Sequence, residues 1–389
     1  MRTPSAISAW NGENINWGLP APIYFGAGRI NMLAALVKEL GMTTPLLVTD
    51  THISTLPFFK KLQGYKTFSS FSPNPKESEM EAGITIYKHG KHDGIIALGG
   101  GATLDIGKAI GFMQAQSKPV WDFEDKDEKW KQANDKGLAP LIAIPTTSGT
   151  GSEAGRAFVL TREKDNCKKI IFHPKIMPNR IILDPELTVS LPANMTAATG
   201  MDALSHSLEA YCAKGFHPIS HGVSIEGIKL VHDWLPAAYQ DGNTIKARGH
   251  MMLASICGAV AFQKGLGAVH AMSHPCSSLF DTHHGLTNAV ILPYVLSYNR
   301  PAIEKAIMTL AAYLNISSGF QGFLQWVIEL NHELQIPHQL SDMGISKESL
   351  PLMAKMANQD PSGTTNPRPM GEKEYLELYQ NAFYGRMER

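Results

Sequence analysis

No run of this 389-residue sequence stays apolar for the ~18 residues that a membrane-spanning helix needs. The first twenty residues, MRTPSAISAWNGENINWGLP, have neither the apolar centre of a secretory signal nor an Arg-rich amphipathic pattern. Both absences lead to the expectation of a cytoplasmic protein without a membrane partner. Cysteine is scarce: Cys167, Cys212, Cys257 and Cys276 are scattered with no CxxC spacing. That argues against a disulfide framework or a zinc-thiolate site and suits a reducing compartment. Net charge is lacking too, because 35 Lys+Arg balance 35 Asp+Glu, so no overall field exists to hold a nucleic acid. What is present is 43% hydrophobic residues and 34 glycines, in a chain longer than the ~250–300 residues at which single cores stop growing. Two globular domains are expected.

The first half alternates short apolar runs with helical periods. Pro22–Gly26, Pro45–Asp50, Tyr65–Phe71, Gly94–Gly100 and Pro140–Thr147 read as strands, with helices at Asn31–Leu40 and Glu77–Lys88 among them and a loop at Phe71–Lys76. Strands that are apolar on both faces and separated by helices predict a parallel sheet covered on both sides. After Ile181–Thr188 long helical periods take over, and Pro185 and Pro192 punctuate the change. The reading is an α/β domain over 1–187 and an all-helical domain over 188–389.

Histidine is the informative residue of the second half. Asp202 and His206 lie four apart in a stretch, Thr196–Ala213, that reads as helix. Their side chains leave one face about one turn apart, with Cβ atoms roughly 5–6 Å from each other, close enough to hold one ion. His270 and His274 repeat the spacing, and His283 and His284 follow. Any single histidine is more readily a core or surface residue. A carboxylate with several imidazoles, however, is the donor set of a divalent metal that keeps a coordination position open for chemistry. The pattern offers more histidines than a one-metal site needs.

Two glycine-bearing loops each follow an expected strand. Gly99-Gly100-Gly101 opens a helix, where backbone N–H groups and the helix N-terminus favour a pyrophosphate; a plain tight turn is the alternative. Thr146-Thr147-Ser148-Gly149-Thr150-Gly151 could cap a helix or line a cofactor cleft. Asp50, ending the second strand, stands where an acidic side chain accepts bonds from ribose hydroxyls and repels a 2′-phosphate, which favours NAD over NADP. A turn or cap role is the plain alternative.

Together these motifs resemble the iron-containing (group III) alcohol dehydrogenases. The likeness begins at Ile23–Gly28 and continues through the GGG turn, the PTTSGTGSE loop and Asp184–Thr188. It covers the whole histidine region, with Gly265–Asn299 its most specific part, and reaches Asn366-Pro367-Arg368-Pro369. The resemblance implies a dinucleotide-binding parallel sheet followed by a helical metal-binding domain, the plan shared with dehydroquinate synthase. It places the metal on Asp202, His206, His270 and His284, makes His274 a catalytic histidine near the nicotinamide, and leaves His283 a bystander. It puts NAD on Asp50, Asn74, Gly100, Gly101, Asp105, Thr146, Thr147, Lys168 and Leu187. One departure is Ala102-Thr103, where the family commonly has Ser-Pro; Thr103 could supply the missing hydroxyl.

The implied reaction moves hydride between NAD(H) and a small alcohol or aldehyde. The metal, Fe2+ by family expectation and Zn2+ or another divalent ion by chemistry, acts as Lewis acid on the substrate oxygen. His274 would relay the released proton. Two rivals share the plan: a reductase of small dicarboxylates of the maleylacetate type, and a cyclase like dehydroquinate synthase. The cyclase crowds its site with Lys and Arg, whereas between Asp202 and His284 this sequence has only Lys214, Lys229, Lys246, Arg248 and Lys264, none adjacent to a ligand. Substrate selection is expected from Ala154–Phe158 and Gln359–Met370, and a homodimer or higher homo-oligomer from edge pairing of a strand at Trp17–Phe25.

Overall fold

The computed structural model describes residues 18–165 and 167–387, and in it the chain divides into two compact units. One comprises Leu19–Thr147 with Gly151–Ser190; the other gathers Gly18, Ser148–Thr150 and the chain from Leu191 onward.

The first unit is built on six parallel strands: β1 (Ile23–Phe25), β2 (Leu46–Thr49), β3 (Lys66–Phe68), β4 (Ile95–Gly99), β5 (Leu141–Pro145) and β8 (Arg180–Leu183). Their spatial order is β1-β8-β5-β4-β2-β3. β4 and β5 occupy the centre and are buried along their whole length, so apolar residues face helices on both sides. On one side Val48, Ala97 and Ala143 pack with α2 (Glu77–His89) and α3 (Gly101–Met113). On the other, Leu47, Ile96 and Ile142 pack with α1 (Leu33–Glu39) and Leu187. Asp184, fully buried after β8, ties the ends together: its carboxylate accepts from the backbone N–H of Gly28, Ile30 and Glu186.

Each of the five expected strand runs contains a strand. An antiparallel hairpin, β6 (Ala157–Arg162) with β7 (Cys167–Phe172), escaped the sequence reading. Its cross-strand pair Phe158 and Ile171 is buried, which puts Phe158 in the core with Phe112 and Phe123. Trp17 lies outside the described residues, and β1 begins at Ile23 on the sheet's edge.

The second unit is helical: α4 (Ala193–Cys212), α5 (Pro218–Gln240), α6 (Ile245–Ala261), α7 (Ala268–Phe280), α8 (His284–Tyr313), α9 (Gly319–Glu333), α10 (Leu350–Asn358) and α11 (Glu372–Tyr384). α4 is the central element, buried continuously from Thr196 to Cys212. A helix buried on all sides has no polar face to give to water, so each ionisable group on it must find a partner inside. No single helix among the described residues is long and apolar enough to cross a membrane.

Candidate metal centre

α4 presents Asp202, His206 and Glu209 at intervals of four and three, one helical face inside a dry core. Asp202 Oδ1 is the point on which the site converges. It lies 3.8 Å from His206 Nδ1, 3.9 Å from His270 Nε2 and 3.7 Å from His284 Nε2. Two donors bonded to one tetrahedral ion at 2.0–2.2 Å sit about 3.4 Å apart, so a first-row divalent ion fits with a slight closing of the set. One donor atom each from Asp202, His206 and His270 lies within 4.8 Å of the others. His206 Nδ1 is buried with no hydrogen-bond partner, the state of a lone pair kept for a cation. Burial, only partly opposed by Asp202, holds that imidazole down at about 4, so it is neutral and able to ligate at physiological pH.

The other two imidazoles are delivered by helix starts. At the N-terminus of α7 the Glu209 carboxylate accepts from Val269 N–H at 2.6 Å through Oε1 and pairs with His270 Nδ1 at 2.6 Å through Oε2. One buried carboxylate thus caps a helix and fixes an imidazole, so that Nδ1 carries the proton and Nε2 faces Asp202 with its lone pair. Burial disfavours charge on His270, but the Glu209 charge and hydrogen bond outweigh it and raise its affinity for a proton. α8 begins at His284 itself. The side chain of His283 accepts from Leu286 N–H, so the supposed bystander is the cap of the helix that supplies its neighbour. Gly285 lets that helix start lie against α4: a Cβ there would stand 2.2 Å from the Ala198 carbonyl oxygen and 3.0 Å from Asp202 Cβ.

His274 adjoins the cluster without belonging to it. Its ring stacks on that of His284 at 5.3 Å, and its Nδ1 pairs with Asp360 Oδ2 at 2.7 Å. Burial raises the Asp360 acid, yet the His274 charge and bond and those from Ser362 prevail and hold it below the usual carboxylate range. Asp360 falls in the Gln359–Met370 region. So does Asn366, which accepts from Ala268 N–H and supports the start of α7.

In the sheet unit, most of the expected cofactor residues gather at one edge. Asp50 follows β2, Asn74 lies in the loop after β3, Gly100 and Gly101 follow β4, Thr146 and Thr147 follow β5, and Leu187 comes after β8. Parallel strands all point the same way, so these lie at their carboxyl ends, where open α/β sheets bind ligands. Thr146 N–H donates to Gly99 O at 3.0 Å, and the Thr147 methyl lies 3.4 Å from where a side chain on Gly100 would begin. Gly100 caps α3 with no side chain in the way.

Asp50 Oδ1 accepts from Ile53 N–H at 2.8 Å, so it shapes the turn with one oxygen. Leu187 packs its side chain into the core. Thr103 is buried against Gly99. Asp105 is held by Ser152 Oγ at 2.6 Å and Val159 N–H at 3.0 Å, within the electrostatic reach of Lys108 and Lys168. Lys108 is buried, donating to Ser152 Oγ and Ala157 O.

Glu209, Asn288 and Asp360 were not singled out from the sequence. Glu209 had a local signal, three residues after His206 on the same helical face. Asn288 had one too, four residues after His284.

The chain matches the profile described as iron-containing alcohol dehydrogenase over residues 20–185, and the C-terminal profile of the Fe-containing alcohol dehydrogenase family over 196–383. A 1,3-propanediol dehydrogenase of Citrobacter freundii is 33% identical over 383 residues, covering 94% of this chain and 98% of that protein. An NAD-dependent methanol dehydrogenase of Bacillus methanolicus is 31% identical over 383 residues, covering 94% and 99%. A solved 1,3-propanediol oxidoreductase superposes with a TM-score of 0.90 at 31% identity, over 95% of this chain and all of that one.

Proposed function

The chain belongs to the iron-containing alcohol dehydrogenase family, and on that premise we propose that it moves hydride between NAD(H) and a short, uncharged alcohol or aldehyde. The observation that carries this reading is the convergence of Asp202 Oδ1 with three imidazole nitrogens at 3.7–3.9 Å. In the proposed assignment Asp202, His206, His270 and His284 hold the ion. Iron is the family's metal, and the same donors accept zinc or another divalent ion. Bound there, the ion supplies a Lewis acid for the substrate oxygen.

The chain's own residues do the remaining work. Glu209 fixes the tautomer of His270. His274, with Nδ1 committed to Asp360, has Nε2 left to take the proton of the alcohol, and the carboxylate stabilises the imidazolium that results. Asp50, Asn74, Gly100, Gly101, Thr146, Thr147 and Leu187 are proposed to hold NAD, supported by their common position at the strand ends; Asp105 and Lys168 are proposed with them, the lysine lying within electrostatic reach of that carboxylate. The nucleotide part is assigned to 1–187 and the metal part to 188–389.

Relatives named for methanol and 1,3-propanediol support a small neutral substrate. Of the basic residues between Asp202 and His284, Lys264 donates to Tyr211 O, Arg248 to Thr196 and Leu191, and Lys229 pairs with Asp233. Homo-oligomer assembly through the β1 edge is proposed on its edge position and its exposed Phe25. The test is the absorbance of reduced nicotinamide in metal-loaded protein with a panel of C1–C4 alcohols, diols and aldehydes. Turnover on that panel is expected; silence there with turnover of a dicarboxylate would overturn the reading.

A further inference from the structure

The side chain of Asn288 is fully buried one turn beyond His284 on α8 and reaches three of the four proposed ligands. Its Nδ2 stands 2.8 Å from Asp202 Oδ1, 3.2 Å from His284 Nε2 and 3.4 Å from His270 Nε2. The NH2 end of the amide must be the one that faces Asp202, since two acceptor oxygens at that distance would repel. Keeping it there leaves Asn288 Oδ1 buried with no partner. A fold seldom tolerates an orphaned carbonyl unless the opposite end of the group is needed where it is.

Resting on the metal-dependent reading of the site, we propose that Asn288 is a positioning residue for the metal ligands. Its N–H ties Asp202 Oδ1 in one orientation, so that the aspartate presents a single oxygen to the ion and leaves a coordination position for substrate. The chemistry asks for this residue type. A leucine of similar size would free the carboxylate to turn, and an aspartate would set a second negative charge beside the first.

The test uses the full-length protein with Co(II), whose visible absorption reports the number and arrangement of its ligands, and reads affinity by competition with a chelator. Asn288→Asp keeps the shape of the side chain and Asn288→Ala removes it. Both are expected to alter the Co(II) spectrum, with affinity changed about tenfold, downward in the alanine variant and upward in the aspartate variant. A merely structural role would lower the melting temperature of Asn288→Ala and leave the Co(II) spectrum of that variant as in the parent. Parent-like spectra and affinities in both variants would overturn the proposal while the metal site stands. If the parent binds no Co(II), or Asp202→Ala binds it equally well, the metal-site reading fails and the role of Asn288 with it.

Discussion

Replacing Glu209 by Gln should weaken metal binding without unfolding the protein, and the size of the effect follows from two hydrogen bonds. Glu209 Oε1 accepts from Val269 N–H and Oε2 from His270 Nδ1–H, each at 2.6 Å. A glutamine has one acceptor and one donor end. Because Val269 N–H can only donate, the carbonyl oxygen must stay on it, and the NH2 end is turned to His270. The imidazole can satisfy that donor only by making Nδ1 an acceptor, which moves its proton to Nε2, the atom that faces Asp202. A protonated Nε2 cannot ligate. Restoring the metal-binding tautomer would set N–H against N–H in a buried site and give up a charge-assisted bond worth about 1.5–3 kcal/mol. At 1.4 kcal/mol per tenfold, affinity should fall about 10- to 100-fold. Chelator competition with Zn(II) or Co(II) measures it, and far-UV circular dichroism checks that the helices persist. An affinity within threefold of the parent would refute the idea that Glu209 fixes the tautomer of His270.

Gly285→Ala forces a Cβ to within 2.2 Å of the Ala198 carbonyl, so the start of α8 must retreat from α4 and carry His284 with it. About 1–3 kcal/mol of stability should be lost in thermal melts, and metal content should drop in the purified variant. Glu153 is buried and its acid is pushed up to about 7 by burial, with Lys108 partly opposing. Below about pH 4.5 the group is protonated in both folded and unfolded chains and has no effect. Between 4.5 and 7 the folded protein keeps a proton that the unfolded chain has released, so stability declines as pH rises, and above 7 the full cost remains. Glu153→Gln removes it, and urea melts should show no gain at pH 4 and a gain of up to about 3 kcal/mol at pH 8, less whatever Lys108 loses with its neighbour. A gain that is equal at both pH values would be incompatible with this account. Asp360→Asn and His274→Ala should each lower kcat about 10²- to 10⁴-fold and flatten its acid limb, with metal content unchanged. An unaltered pH profile in both would end the relay assignment.

Much of this protein was determined by its sequence within the reach of a single helical turn or a single strand. Apolar runs ending in glycine or threonine specify parallel strands and the loops that follow them. Four-residue spacing puts Asp202 with His206, and His270 with His274, on common faces, because helix geometry alone makes such residues neighbours. The β6–β7 hairpin was harder to see: neither strand carries a turn dipeptide, and its alternation covers six residues a side. Tertiary packing decided the remainder. Nothing local joins Glu209 to His270 across 61 positions or His274 to Asp360 across 86, and no spacing rule could turn His283 into a cap or bury Thr103. The choice among the histidines was likewise made by where buried helices meet. A buried carboxylate must be paired, and only the packing of α4 against α7 and α8 settles which imidazoles can reach Asp202.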